Sequence, residues 1–158
     1  MTRAIPPIAV KFLEREEGVK FVGYPDIHGV PTAGMGHTGP GVVVGQTYTQ
    51  FQIDTWAAAD MQTAATRLLW AIGQPAIDAF NDYQYSALLS FVFNEGEKAS
   101  WTIWADIRRG DLVDVPSELL QFHFAGGQDS PGLLNRRKAE CALWAGTDPL
   151  CAHYPLSV

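Results

Sequence analysis

The sequence predicts a mainly helical α+β fold of two lobes, and three observations carry that reading. Residues 6–17 and 49–72 place apolar side chains at helical spacing. Between them, from about 18 to 48, Gly and Pro break the apolar residues into short segments, the pattern of a small, strongly turned antiparallel sheet. From about 74 to 158 helical segments return one after another. At 158 residues a single domain is expected, divided into a β lobe, a bridging helix and a helical lobe at those bounds.

Pro6 and Pro7 suit a helix start, where the missing N–H has no partner to lose. Ile8, Phe12 and Leu13 then line one face and Lys11, Glu14 and Arg15 the other, until Gly18 supplies a left-handed stop. Val19, Phe21, Tyr24, Val30 and Met35 mark the sheet, and Gly39, Pro40, Gly41 and Gly45 a loop. Thr49 and Gln52 have capping-box spacing and open the bridging helix, with Phe51, Ile53, Trp56, Met61, Leu68 and Leu69 as its apolar positions. Gly73-Gln74-Pro75 is expected to end it. Asn81 to Gln84 begins the next helix; Tyr85, Leu88, Leu89, Val92 and Phe93 make it apolar on most faces, so it is central. Trp101 to Arg109 forms a short helix closed by Gly110, Pro116 starts another through Phe124, and Ala125-Gly126-Gly127 opens a loop.

With 47% hydrophobic and 18% charged residues the chain is globular rather than disordered. A net charge of −6 argues against nucleic acid as a partner. The apolar runs are short and broken by charge, so no membrane span is expected. Residues 1–18 hold no apolar run ending in a small-residue cleavage site, so no signal peptide is expected. Cys141 and Cys151 are either two buried thiols or one late-closing disulfide. His28, His37, His123 and His153 lack metal spacing with any Cys or carboxylate cluster, and no metal or cofactor is expected.

The chemistry concentrates between residues 17 and 38. Glu17 ends the first helix, where the macrodipole disfavours its ionised form and so suits a general acid. Asp26 lies in the polar turn from Tyr24 to Gly29 and should stay ionised. Thr32, a donor and acceptor on a stiff β-branched stem, can fix a water that Asp26 deprotonates. Two carboxylates and a hydroxyl suit glycosidic hydrolysis. Taken singly, each is ordinary: a solvated helix end, a turn former and a strand residue.

Together, Glu17-Gly18, Asp26, Gly29, Thr32, Gly34, Gly36 and His37 make E-G-(x)7-D-(x)2-G-(x)2-T-x-G-x-G-H, which resembles the signature of phage-type lysozymes, glycoside hydrolase family 24. The resemblance implies the lysozyme-like two-lobed fold, with Glu17 as general acid and Asp26 and Thr32 positioning and activating water. It implies cleavage of the β-1,4 bond between N-acetylmuramic acid and N-acetylglucosamine in peptidoglycan. A water held by Asp26 and Thr32 must fit between the base and the anomeric carbon, so single displacement with inversion is expected, the two carboxyls standing roughly 6.5–9.5 Å apart. Phe93-Asn94-Glu95-Gly96 is similar to the family's F-N-x-G, which makes Asn94 a substrate contact, although a helix end before Gly96 also accounts for it. Residues 132–140 resemble G-L-x-x-R-R-x-x-E. Either Arg136 or Arg137 is expected to orient Glu17, the choice being open. His37 reads first as a hydrogen-bonded structural residue and second as a substrate contact, since the triad needs no further base. Asp60, common in the family's linking helix, is taken as a surface or helix-pairing residue. Phe122 departs from the Trp that many relatives carry, and the net negative charge departs from many basic ones.

The implied setting is a monomeric phage endolysin made in the host cytoplasm and acting on the wall after release by a holin. Two other readings are a lytic transglycosylase, against which Asp26 and Thr32 speak, and a catalytically silent wall-binding virion module.

Overall fold

The structure, a computed structural model, describes residues 3–157. Its first helix, α1 (Pro7–Glu17), buries Ile8, Ala9, Phe12 and Leu13 and stops at Gly18, whose N–H reaches the Glu14 carbonyl at 3.0 Å. Glu17 is therefore the last helical residue, set at the edge of the β lobe.

Strands β1 (Lys20–Pro25) and β2 (Pro31–Gly34) pair antiparallel, with Tyr24 opposite Thr32 and an irregularity between Lys20 and Tyr24. The outer edge of β1 is covered by residues 43–48, through Gly23 N–H to Gln46 O and Tyr48 N–H to Phe21 O, both 2.8 Å. Gly23 is required there. A Cβ on it would stand 2.1 Å from the Val43 carbonyl oxygen.

The bridging helix, α2 (Gln50–Ile72), starts from the expected capping box: Thr49 Oγ1 accepts the Gln52 N–H at 3.2 Å and Gln52 Oε1 accepts the Thr49 N–H at 3.0 Å. Its buried face is Ile53, Ala57, Met61, Ala64, Ala65, Leu68 and Ile72. Phe51, expected among the apolar positions, is 79% exposed, because the alanines make the close face to the core. The chain does not stop after α2 as expected. Gly73, with φ 82°, redirects it, and α3 (Gln74–Ala79) begins at once with Pro75 in its first turn. Proline serves a helix start as readily as a stop.

Helix α4 (Asp82–Glu95) is capped by Asn81 and Gln84 and buries every residue from Tyr85 to Val92. It packs on α1, α2 and the last long helix, α7 (Pro131–Trp144), which makes it the axis of the helical lobe. After α5 (Thr102–Arg109), α6 covers only Val115–Leu119 instead of running to Phe124. The α pattern lapses where the Gln121 and Phe122 N–H groups turn to the Glu118 and Leu119 carbonyls, both at 3.0 Å, and His123 Nδ1–H then donates to the Leu120 carbonyl at 2.7 Å, the acceptor that a continuing helix would offer to the Phe124 N–H. The expected loop is a hairpin, β3 (Phe124–Ala125) on β4 (Gln128–Asp129), turned by Gly126 and Gly127 at φ 58° and 81°. Two consecutive positive φ values make this the two-residue turn that suits antiparallel twist. A 3-10 turn, Pro149–Ala152, comes after α7. Cys141 and Cys151 are both free thiols, the first half-buried and the second buried.

Candidate active site

The connection between β1 and β2 builds one half of the site. Asp26 Oδ1 accepts the backbone N–H groups of His28 and Val30, each at 2.8 Å, and Asp26 N–H reaches the Val30 carbonyl at 2.9 Å. The same carbonyl accepts the Thr32 hydroxyl at 2.9 Å. One peptide residue, Val30, thus holds both side chains, the carboxylate through its N–H and the hydroxyl through its C=O. The Val30 N–H, aided by that of His28, holds the Asp26 carboxyl below its ordinary range, so it is ionised at neutral pH. Thr32 is buried and its proton is engaged, so its oxygen is left as an acceptor.

Glu17 supplies the other half from the end of α1. Its side chain is 22% exposed and Arg136 Nη1 stands 2.5 Å from its Oε1. This resolves the choice between the two arginines in contact terms: Arg136 reaches Glu17, and Arg137 turns elsewhere. Arg137 donates to Asn94 Oδ1 at 2.9 Å and to Glu140 Oε1 at 3.0 Å, and lies over the Phe91 ring. Adjacent residues on a helix point about 100° apart, so one pair of arginines serves two partners.

Glu140 joins them. It is fully buried, takes the Ser90 hydroxyl at 2.7 Å and Arg136 Nε at 3.3 Å, and connects α7 to the middle of α4. Burial pushes its carboxyl up to about 7 against the pull of both guanidiniums, and burial lowers Arg137 in turn. In the sequence Glu140 is only the last residue of the G-L-x-x-R-R-x-x-E segment, with no role of its own; Ser90 gives no signal at all, being one small residue in an apolar helix.

His37 is tied down as a structural residue would be. Its Nδ1 stands 2.8 Å from Asp60 Oδ2, and its ring stacks on Trp56 with centroids 4.8 Å apart. Asp60 is therefore the link from α2 to the β lobe rather than a solvated or helix-pairing acid. Asp60 also lines a depression of about 280 Å³ between the lobes, together with Gly36, Thr38, Thr63, Arg67, Val92 and Phe93. Glu17, Asp26, Thr32 and Asn94 do not line that depression itself; Asn94, exposed, is the next residue in the chain after Phe93, which does. Phe122 packs inward against Phe91 and Trp101, with centroids at 4.8 and 4.7 Å. Among the described residues no group of three or more His, Cys, Asp or Glu could hold a metal ion, and no helix is long and apolar enough to cross a membrane.

The structure thus sets one carboxyl at the end of α1 on Arg136, a second carboxyl and a hydroxyl on Val30 in the β lobe, and a depression between that lobe and the helical one. Comparison with known proteins supplies a family. The phage lysozyme family model matches residues 14–140. A SAR-endolysin of Enterobacteria phage PA-2 is 32% identical over 133 residues, covering 81% of this chain and 78% of that one. The endolysin of Salmonella phage P22 is 32% identical over 138 residues, covering 84% and 91%. Among solved structures, a P22 lysozyme mutant has a TM-score of 0.78 at 28% identity, over 90% of this chain and 99% of that one. An endolysin from Escherichia coli O157:H7 phage FAHEc1 has a TM-score of 0.79 at 23% identity, over 91% and 94%, a likeness of fold. The chain belongs to the phage lysozyme family, glycoside hydrolases of the endolysin type that act on cell-wall peptidoglycan.

Proposed function

We propose that the protein cleaves the β-1,4 bond between N-acetylmuramic acid and N-acetylglucosamine by single displacement with inversion. The observation that carries this is the joint hold of Val30 on Asp26 and Thr32. A water placed there donates one hydrogen to Thr32 Oγ1 and the other to the Asp26 carboxylate, which leaves a lone pair for the anomeric carbon. Glu17 gives its proton to the leaving oxygen while Arg136 fixes the carboxyl's direction. Asp26 takes the water's proton, and the charge on the pair returns by exchange with solvent. Asn94 serves as a substrate contact, positioned by Arg137.

Mass spectrometry of digested peptidoglycan tests the reaction class. A hydrolase leaves reducing muramic ends, whereas anhydro-muramic ends would assign the chain to the transglycosylases. The Glu17→Gln variant keeps the side-chain volume and loses the proton, so it should keep the wild-type circular dichroism while clearing no turbid suspension of outer-membrane-stripped bacteria. Wild-type protein that clears nothing would point to a silent wall-binding module. Expression with and without a holin reads the expected route to the wall, and lysis in its absence removes that partner.

A further inference from the structure

Helix α2 lines the depression between the lobes and runs on past it. Asp60, Thr63 and Arg67 succeed one another at helical spacing along the depression between the lobes, and the same spacing next reaches Trp70. Trp70 is 78% exposed. So open an indole, close to the end of a helix whose packed face is made of Ile, Met, Leu and Ala, contributes little to the core. It lines a second hollow of about 260 Å³ with Ala71, Glu97, Ala99, Trp104 and Arg108. Arg67 belongs to the first hollow and Glu97 to the second, and the two side chains pair at 3.7 Å. The hollows therefore meet at a single ion pair, half-exposed on the arginine side.

We propose that Trp70 and the second hollow form a distal glycan subsite, which rests on the hydrolase reading above and takes a sugar ring of the same strand that is cut at Glu17. A β-linked pyranose presents a face of C–H groups and a rim of hydroxyls. The face packs on the Trp70 indole, a flat apolar surface set in water. The rim meets an acceptor in Glu97 and a donor in Arg108, whose Nη1 is already fixed on the Ala71 carbonyl at 2.5 Å. Trp70 lies ten residues along α2 from Asp60, about 15 Å at helical rise. Only a strand several sugars long fills both hollows, so the subsite favours long glycan over short fragments.

The test compares wild type with Trp70→Ala on peptide-free glycan strands and on short muropeptide fragments. Trp70→Ala should raise KM on long strands about tenfold, the scale of losing one aromatic platform, with kcat unchanged. Cleavage of short fragments should be untouched, and Trp70→Tyr should restore most of the affinity for strands. An unchanged KM on strands, or an equal loss on both substrates, overturns the subsite. In the Glu17→Gln protein, titration with glycan strands should shift the indole N–H resonance of Trp70, assigned by its loss in the Trp70→Phe form of the same protein; a resonance that stays in place also overturns it. That binding readout does not depend on cleavage. A wild-type protein that releases no reducing ends therefore defeats the hydrolase reading while the titration still decides the subsite.

Discussion

Replacing Glu140 with Gln isolates a carboxyl that burial has moved close to neutrality. Glu140 is fully buried, and the Ser90 hydroxyl and the two guanidiniums at 3.3 and 3.0 Å offset only part of its desolvation, so its carboxyl rises from 4.5 to about 7. A carboxyl raised on folding makes the native state hold its proton more tightly than the unfolded chain does. Its contribution to stability is then complete below 4.5 and is lost as pH rises through about 7. That rise corresponds to about 3 kcal/mol. In a chain of this size it lowers Tm by about 6–12 °C. The assay is thermal unfolding followed by circular dichroism from about pH 4.5 to 8, reading the difference between wild type and Glu140→Gln, in which groups common to both proteins cancel. Wild type should lose roughly that many degrees relative to the variant across the window. A constant difference would refute the reasoning. A difference that moves in favour of wild type as pH rises would show that Arg136 and Arg137 keep Glu140 ionised throughout.

Two further predictions concern the β lobe. Thr32→Ala removes the acceptor that Val30 orients, and should lower kcat about a hundredfold by releasing the water, with Tm close to wild type; steady-state turnover on glycan strands measures it, and an unchanged kcat contradicts the water-holding role. Gly23→Ala forces a methyl to within 2.1 Å of the Val43 carbonyl oxygen, so β1 and its covering loop must part. Denaturant unfolding should show a loss of about 3 kcal/mol or more, and a loss below about 1 kcal/mol would mean the contact yields.

The parts of this fold written in local chemistry are legible in the sequence. Thr49 with Gln52 and Asn81 with Gln84 open α2 and α4 where their spacing puts them, and Gly18 ends α1 at Glu17. Glu17, Asp26 and Thr32 are readable as a set only through the resemblance of their spacing to the phage-type lysozyme signature, since each alone is an ordinary helix-end, turn or strand residue. The illegible parts depend on competition between local signals or on the third dimension. Gly126-Gly127 is a hairpin signal that also fits a plain loop, and the helix before it tightens at Gln121 and Phe122 and then gives the Leu120 carbonyl to the His123 side chain, neither of which periodicity reveals. Phe51 lies outside because alanines, which carry little weight in an apolar count, form the contact face of α2. Arg136 and Arg137 are neighbours in sequence and differ only in direction. That direction needs the placement of α7 against α4, as does the burial that gives Glu140 its character.

The central claim is that Asp26 and Thr32 hold a water rather than offering a nucleophile. Proton NMR of the reducing sugar released from glycan strands, recorded before mutarotation, tests it most directly. The water-holding account predicts the α-anomer first, because attack from the face opposite the leaving group inverts the centre. The β-anomer first would mean that configuration is kept, that Asp26 forms a covalent glycosyl-enzyme, and that the role given to Thr32 is wrong.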